Sequence, residues 1–258
     1  MGVLPGVHSP QLTFVETIKN RDLRFSLKGP NVEHPTENTN GSNGAGAVGI
    51  MDRLRVATAK QHDDAENHEF QQAFFAGRLT RDQYVRYLVE LHHVYACLEN
   101  HIRSASKDRP ELAQVVAEEN YREADLVDDL DFFGVAPGSS NPTPATETFM
   151  SHTEVLARTN PIALLGMHYV LEGSNNGSKF ISRNIRRAYE LTDRGVRTLD
   201  PYGSDQRQKW LDYKLRMGEL ELSQDECDAL VQAAQYMFSA LGRVSSDLMP
   251  EKLQNVGT

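Results

Sequence analysis

Apolar residues recur at helical spacing through most of the chain. Between residues 51 and 248 they return at intervals of three and four, the period of an amphipathic α-helix. No stretch alternates convincingly between apolar and polar residues as a half-buried β-strand does, and no hairpin dipeptide joins two such stretches. The sequence also has no internal repeat. It therefore predicts an all-α fold built as one domain.

Helix start and stop signals set the boundaries of the predicted helices. Gly77 follows the first apolar run as a left-handed residue, so the first helix covers residues 51–75. Capping boxes at residues 80–83 and 223–226 each start a long helix, and Pro110 opens another at its first turn. Gly134 is a stop signal, and Asn160 before a proline is a start signal. The other predicted elements are a loop at residues 136–146, a short helix near residues 149–156, and helices at residues 162–191 and 205–217.

The two ends of the chain differ from this helical region. Residues 28–47 consist mostly of Gly, Asn, Thr, Pro and Glu. Such a segment buries too little apolar surface to offset the entropy lost on ordering. We predict a disordered extension over residues 1–48, a helical domain over residues 49–248 and a tail over residues 249–258.

Charge and cysteine content narrow the class of protein. The net charge of −9 argues against binding to nucleic acid or to an anionic membrane surface. The two cysteines, Cys97 and Cys227, form no CxxC pair, which argues against a disulfide framework or structural zinc. No apolar run is long enough to span a membrane, and no signal peptide opens the chain. We expect a soluble, cytoplasmic monomer.

One predicted helix face carries a candidate metal ligand. In a continuous helix Arg55, His62 and Glu66 share this face, with Arg55 roughly 10 Å from His62. A neutral imidazole binds iron, and a fixed cation two turns away suits a carboxylate. A flat ligand with a metal centre and a carboxylate edge, such as haem, would fit both. The alternative is a histidine with a purely structural role.

A second unusual feature lies in the helix predicted over residues 162–191. Gly166, Gly173 and Gly177 share a face, although each glycine costs a helix about 1 kcal/mol relative to alanine. A face without side chains lets the backbone approach a flat ligand closely. The alternatives are a loop between two helices, or small residues for close helix packing. A haem enclosed by this helix and the His62 helix would explain both features.

These residues match a known family. The sequence resembles the haem oxygenases, in order and in spacing, from residue 49 to residue 248. The matching positions are Leu54, His-Asp-Asp-Ala-Glu-Asn at 62–67, Glu69, Phe70, Gly77, residues 80–82, 93–95, Leu98, Glu99, residues 172–177 and 213–217.

The resemblance implies a helical bundle in which haem lies between a proximal helix and a glycine-interrupted distal helix. It also implies that haem is both substrate and cofactor, and that its opening yields biliverdin, carbon monoxide and ferrous iron. His62 would bind the iron, and Glu66 would hydrogen-bond its other ring nitrogen. Arg55 and Lys214 would contact the haem propionates.

One position departs from the animal members of the family. Aligned by the final glycine of the segment, they carry an aspartate where this chain has Gly173. The segment is more similar to certain bacterial members with Glu-Gly-Ser-Asn, although Asn176 replaces their usual apolar residue. Ser174, Asn175 and Asn176, with the backbone of Gly173 and Gly177, are then the candidates for distal chemistry. An alternative is a haem-binding or storage protein without turnover.

The resemblance implies an external electron donor such as a ferredoxin, a flavodoxin or a flavin reductase. A basic cluster could receive an acidic donor, although it could equally be a solvated helix face. A further alternative is a non-haem di-iron protein of the same fold, since Glu90 and His93 have the Glu-x-x-His spacing of such bundles. The basic cluster consists of Lys179, Arg183, Arg186, Arg187, Arg194 and Arg197.

Overall fold

The computed structural model describes residues 49–249, and the predictions for residues 1–48 and 250–258 lie outside this range. The described residues form α-helices and short 3₁₀ turns without a β-strand, which confirms the all-α prediction. None of these helices is long and apolar enough to cross a membrane. The helices are α1 (Ile50–Ala57), α2 (Ala59–Asn67), α3 (Glu69–Phe75), α4 (Arg81–Ala105), α5 (Pro110–Val115), α6 (Glu123–Phe132), α7 (Pro144–Thr159), α8 (Leu164–Tyr189), α9 (Gln206–Gly218) and α10 (Gln224–Asp247).

The first predicted helix is broken into three, so the prediction of one helix over residues 51–75 is wrong. At the first break the Thr58 hydroxyl donates to the Leu54 carbonyl at 2.7 Å. At the second, extended backbone at His68 lets its Nδ1 accept the Phe70 N–H at 3.2 Å. Polar side chains that bond nearby backbone groups compete with the helix in this way. Gly77 has a φ of 65° and ends α3 as predicted.

The predicted helix over residues 110–134 is also divided, into α5 and α6. A buried carboxylate from α4 caps the start of α6, because Glu99 accepts the N–H groups of Arg122 at 2.6 Å and Glu123 at 3.2 Å. Gly134 follows α6 with a φ of 72°, as the predicted stop requires.

Helix starts are predicted with mixed success. Both capping boxes are present, at Thr80 before α4 and at Ser223 before α10. By contrast, Thr143 caps α7 inside the predicted loop, and α7 is 16 residues long instead of short. Asn160 makes no capping hydrogen bond, and a 3₁₀ turn at Pro161–Ala163 precedes α8.

The centre of the bundle is the contact between α8 and α10. Helix α10 also packs against α1, α2 and α7, and α4 packs against α6 and α7. A Cβ atom on Gly166 would lie 2.0 Å from the Leu230 carbonyl oxygen, so glycine is needed where α8 and α10 cross. Gly166 therefore serves close helix packing. Helix α8 continues through Gly173 and Gly177, so the loop alternative is wrong.

Candidate active site

The structure brings His62 and Glu66 together on α2. His62 Nδ1 lies 3.5 Å from Glu66 Oε1, and the two side chains are 25% and 32% exposed. The rings of His62 and Phe238 of α10 form an edge-to-face pair, with ring centroids 5.9 Å apart. Burial raises the pKa of the Glu66 carboxyl, and Asp63 adds to this rise while His62 opposes it. Among the described residues His62 Nε2 has no hydrogen-bond partner, so its lone pair is available to a ligand.

The same turn of α2 contains a possible cluster of metal-binding groups. Ligand atoms of His62, Asp63 and Glu66 lie within 4.8 Å of one another, and the described part of the chain has no other such group of three. The alternative pair, Glu90 and His93, has different partners. Glu90 accepts the N–H of Thr143 at 3.1 Å, and His93 Nε2 lies 3.2 Å from the Ser140 carbonyl oxygen. Both residues hold the segment before α7, which argues against a di-iron site there.

The predicted cations lie on α1 and α9. Arg55 is 44% exposed and lies 3.3 Å from Asp52. Lys214 is half-buried, and its Nζ lies 6.0 Å from the centre of the Trp210 ring. The break at Thr58 separates Arg55 from His62. The two residues therefore do not share the face of one continuous helix, contrary to the prediction from spacing.

The polar residues of the α8 glycine segment bond mainly to their own helix. The Ser174 hydroxyl donates to the Leu171 carbonyl at 2.7 Å, and Asn176 Nδ2 donates to the Gly173 carbonyl at 3.0 Å. The buried Asn175 donates instead to a side chain, Glu172 Oε2, at 3.4 Å. Of the three predicted distal side chains, only Asn175 bonds to an ionisable group.

Sequence reasoning gave Glu172 no chemical role, although it belongs to the matching segment. This side chain is 2% exposed, and burial raises the pKa of its carboxyl to about 7. Its Oε2 accepts the Tyr202 hydroxyl at 3.2 Å, whereas its buried Oε1 has no hydrogen-bond partner within residues 49–249. In the sequence, only its position next to Gly173 points to a functional role for Glu172.

Three of the six residues in the predicted basic cluster form ion pairs. Arg186 lies 3.5 Å from Asp200, and Arg194 lies 3.3 Å from Asp131. Arg197 pairs with two acids of α6: it contacts Asp128 and lies 3.5 Å from Asp125. These three arginines thus belong to local charge pairs, so only part of the predicted basic cluster carries charge that is unpaired among the described residues.

The other three basic residues form an exposed stripe on α8. Lys179, Arg183 and Arg187 are spaced four apart and therefore share a helix face. Within the described part of the chain none of them forms an ion pair. We call these three residues the α8 basic stripe.

The fold and the His62–Glu66 pair define an all-helical protein with a carboxylate-supported histidine available to a ligand. The chain belongs to the haem oxygenase family, since the family model described as "Heme oxygenase" matches residues 49–247. Human heme oxygenase 1 is 29% identical over 197 residues, which cover 73% of this chain and 68% of the human protein. Heme oxygenase 2 of Synechocystis is 25% identical, covering 77% and 82% of the two chains.

Solved structures show the same fold. The structure of heme oxygenase-1 from Synechocystis in complex with heme superposes with a TM-score of 0.73 at 23% identity, covering 81% of this chain and 96% of that one. Heme oxygenase from Leptospira interrogans gives 0.72 at 24% identity, covering 77% and 99%.

Proposed function

We propose that this protein catalyses the oxidative opening of haem to biliverdin, with release of carbon monoxide and ferrous iron. The observation that carries the proposal is the family match over residues 49–247, which contains the His62–Glu66 pair. Dioxygen is the oxidant, and electrons come from an external donor. Bound haem supplies both the iron at which dioxygen is reduced and the ring that is oxidised.

The residues of α2 fit the iron of haem. His62 Nδ1 faces Glu66 at 3.5 Å, which leaves Nε2 as the atom for the metal. A ligating histidine usually gives its second ring N–H to a carboxylate or a carbonyl, which fixes the ring orientation and raises its basicity. In this proposal His62 binds the iron, and Glu66 orients His62.

The cations of α1 and α9 fit the carboxylate edge of haem. Arg55 and Lys214 would pair with the propionates, and this pairing would set the rotation of the ring in the site. That rotation determines which meso carbon is attacked, so both residues would influence the biliverdin isomer. On the other side of haem, Gly173 and Gly177 would let the α8 backbone approach, and Ser174, Asn175 and Asn176 would supply hydrogen-bonding groups by exchanging their present partners for bound ligands.

Reconstitution tests the activity directly. The protein is loaded with haem without oxygen, and a reductant and then air are added. We expect the haem spectrum to be replaced by that of biliverdin, with carbon monoxide released. Persistence of the haem spectrum would instead indicate a haem-binding or storage protein. Iron bound without haem would support the di-iron alternative.

We further propose that an acidic ferredoxin- or flavin-type donor docks on the α8 basic stripe. Reversing its charge with Lys179→Glu, Arg183→Glu and Arg187→Glu should slow donor-dependent turnover by about tenfold or more at low salt, because steering by complementary charge is lost. Raising the salt concentration should reduce the difference. Turnover with a small chemical reductant should be unchanged.

Arg158 provides a control for a single charge reversal within the stripe, such as Arg183→Glu. It is an exposed arginine on α7, 69% accessible, and lies 3.9 Å from Glu154. Arg158→Glu changes charge on a different helix and should leave donor-dependent turnover unaltered. Arg158→Glu and the single variant Arg183→Glu change the net charge by the same amount, so equal slowing by these two variants would show that net charge, and not the stripe, governs the encounter.

A further inference from the structure

Glu172 is a buried acid without a direct counter-ion. It lies on α8 immediately before Gly173 and forms no ion pair with any described residue. Its Oε2 accepts two hydrogen bonds, from Tyr202 at 3.2 Å and from Asn175 at 3.4 Å, both longer than usual. Its Oε1 is buried and accepts none from the residues described. A buried polar atom without a partner is costly, so one that persists needs a physical explanation.

The Tyr202 hydroxyl has two possible acceptors for its proton. It receives hydrogen bonds from Asn120 Nδ2 at 3.0 Å and from Arg122 Nη2 at 3.1 Å, which fill its two lone pairs. Its own proton can then go to the Glu119 carbonyl at 3.1 Å or to Glu172 Oε2 at 3.2 Å. When the Glu172 carboxyl is charged, the Tyr202 hydroxyl donates its proton in a hydrogen bond to Glu172. When the carboxyl is neutral, the hydroxyl donates to the Glu119 carbonyl instead. The site thus accommodates both states of Glu172.

The groups that hold Tyr202 are themselves fixed. Arg122 is 5% exposed and pairs with Asp125 at 2.6 Å. Asn120 Oδ1 accepts from Arg216 of α9 at 2.8 Å. The cations therefore have partners other than Glu172, which explains why they do not hold its carboxyl in the charged form.

Unlike His168 and the tyrosines around it, Glu172 has a pKa that lets it change charge near neutral pH. Burial raises the pKa of its carboxyl to about 7 and lowers the pKa of His168, one turn earlier, to about 3. Burial raises the pKa of Tyr202 to about 12 and also raises those of Tyr95 and Tyr213. The groups that face Glu172 are Tyr95 of α4, Arg122, Tyr202, and Tyr213 and Arg216 of α9.

We infer that Glu172 holds and supplies protons to the Gly173 side of α8 during turnover, in place of the acid that Gly173 lacks. The inference rests on the proposed function. Each oxygen atom of dioxygen that leaves as water takes up two protons, and the external donor delivers the electrons. For each proton given, the Glu172 O–H bond breaks and its electron pair stays on the carboxylate, which the Tyr202 hydroxyl then stabilises. Water returns the proton.

Glu172→Gln tests the inference, because glutamine keeps the shape and hydrogen bonding of the residue but cannot lose a proton near neutral pH. Turnover by the wild-type protein should fall as the pH rises through about 7, where the Glu172 carboxyl loses its proton. Glu172→Gln should be about 100-fold slower, within the range for loss of a general acid, and should lack this pH dependence. Haem binding should be unchanged.

Glu99 is the matched control. It is 1% exposed, and burial also raises the pKa of its carboxyl to about 7, but its oxygens bond to the backbone of α6. Infrared titration of the haem-free protein should show carboxyl groups that ionise near neutral pH, among them those of Glu172 and Glu99. Glu172→Gln and Glu99→Gln should each remove one of them. Only Glu172→Gln should alter the pH profile of turnover.

Failures of the two proposals are distinguishable. A wild-type protein that binds haem but forms no biliverdin would refute the proposed function, whatever the infrared titration shows. A wild-type pH profile retained in Glu172→Gln, after its infrared band has disappeared, would refute only the role of Glu172. If glutamine prevents folding, Glu172→Asp keeps a carboxyl. The pH profile of its turnover should then shift together with the carboxyl pKa measured by infrared titration. A profile that does not shift would overturn the inference.

Discussion

His62→Ala is expected to remove the spectrum of histidine-ligated iron from the haem-loaded protein and to reduce biliverdin formation at least about 100-fold. The substitution deletes the only side-chain ligand proposed for the iron. It should cost little stability, because His62 is partly exposed and its ring contact is an edge-to-face pair with Phe238. Absorption spectroscopy of the loaded protein and turnover with a chemical reductant measure the two effects. Added imidazole should partly restore the spectrum by occupying the space of the lost side chain.

His68 offers a nearby control for His62→Ala. Both of its ring nitrogens are engaged: Nδ1 accepts from the Phe70 N–H at 3.2 Å, and Nε2 lies 3.0 Å from the Ser246 hydroxyl. His68→Ala removes the cap of α3, which should cost about 1 kcal/mol, but the iron spectrum should remain. An unchanged spectrum in His62→Ala, or its loss only in His68→Ala, would contradict the assignment of His62.

Local signals in the sequence predicted the helical class and several exact boundaries. The capping boxes at Thr80 and Ser223 and the left-handed Gly77 act over three or four residues, so they can be read from sequence alone. The break before α6 depends on Glu99, which lies 23 residues earlier in the chain. Apolar periodicity carries no information about a cap of this kind, and so the predicted helix over residues 110–134 ran through the break.

The residues of the candidate site also differ in whether their partners are near or distant in the sequence. His62 and Glu66 are four residues apart on one helix, so the spacing that places them on one face is local, and the family resemblance implies their hydrogen bond. Glu172 depends on Tyr202, 30 residues away, and on the burial of both side chains. Arg194 of the basic cluster is paired with Asp131, 63 residues away. The chemistry of Glu172 and the loss of Arg194 from the cluster therefore became apparent only from the tertiary structure.

Gly166→Ala is expected to destabilise the haem-free protein by about 3 kcal/mol, at the upper end of the usual cost of overpacking a core. The new Cβ would lie 2.0 Å from the Leu230 carbonyl oxygen, and this neighbour is backbone, which cannot turn away as a side chain can. Helices α8 and α10 would have to separate at their central contact. Urea unfolding followed by circular dichroism measures the change in free energy.

The same substitution at Gly242 should have the opposite effect. Gly242 lies inside α10, and a Cβ there would meet nothing within 4 Å. Alanine favours a helix over glycine by about 1 kcal/mol, so Gly242→Ala should stabilise the protein by up to that amount. Helix propensity is thus common to both variants, and the difference between them isolates the clash at Leu230. Two stabilising substitutions would show that α8 and α10 do not approach so closely. Because Gly173 lies two turns beyond Gly166 on α8, loss of this contact should also weaken haem binding.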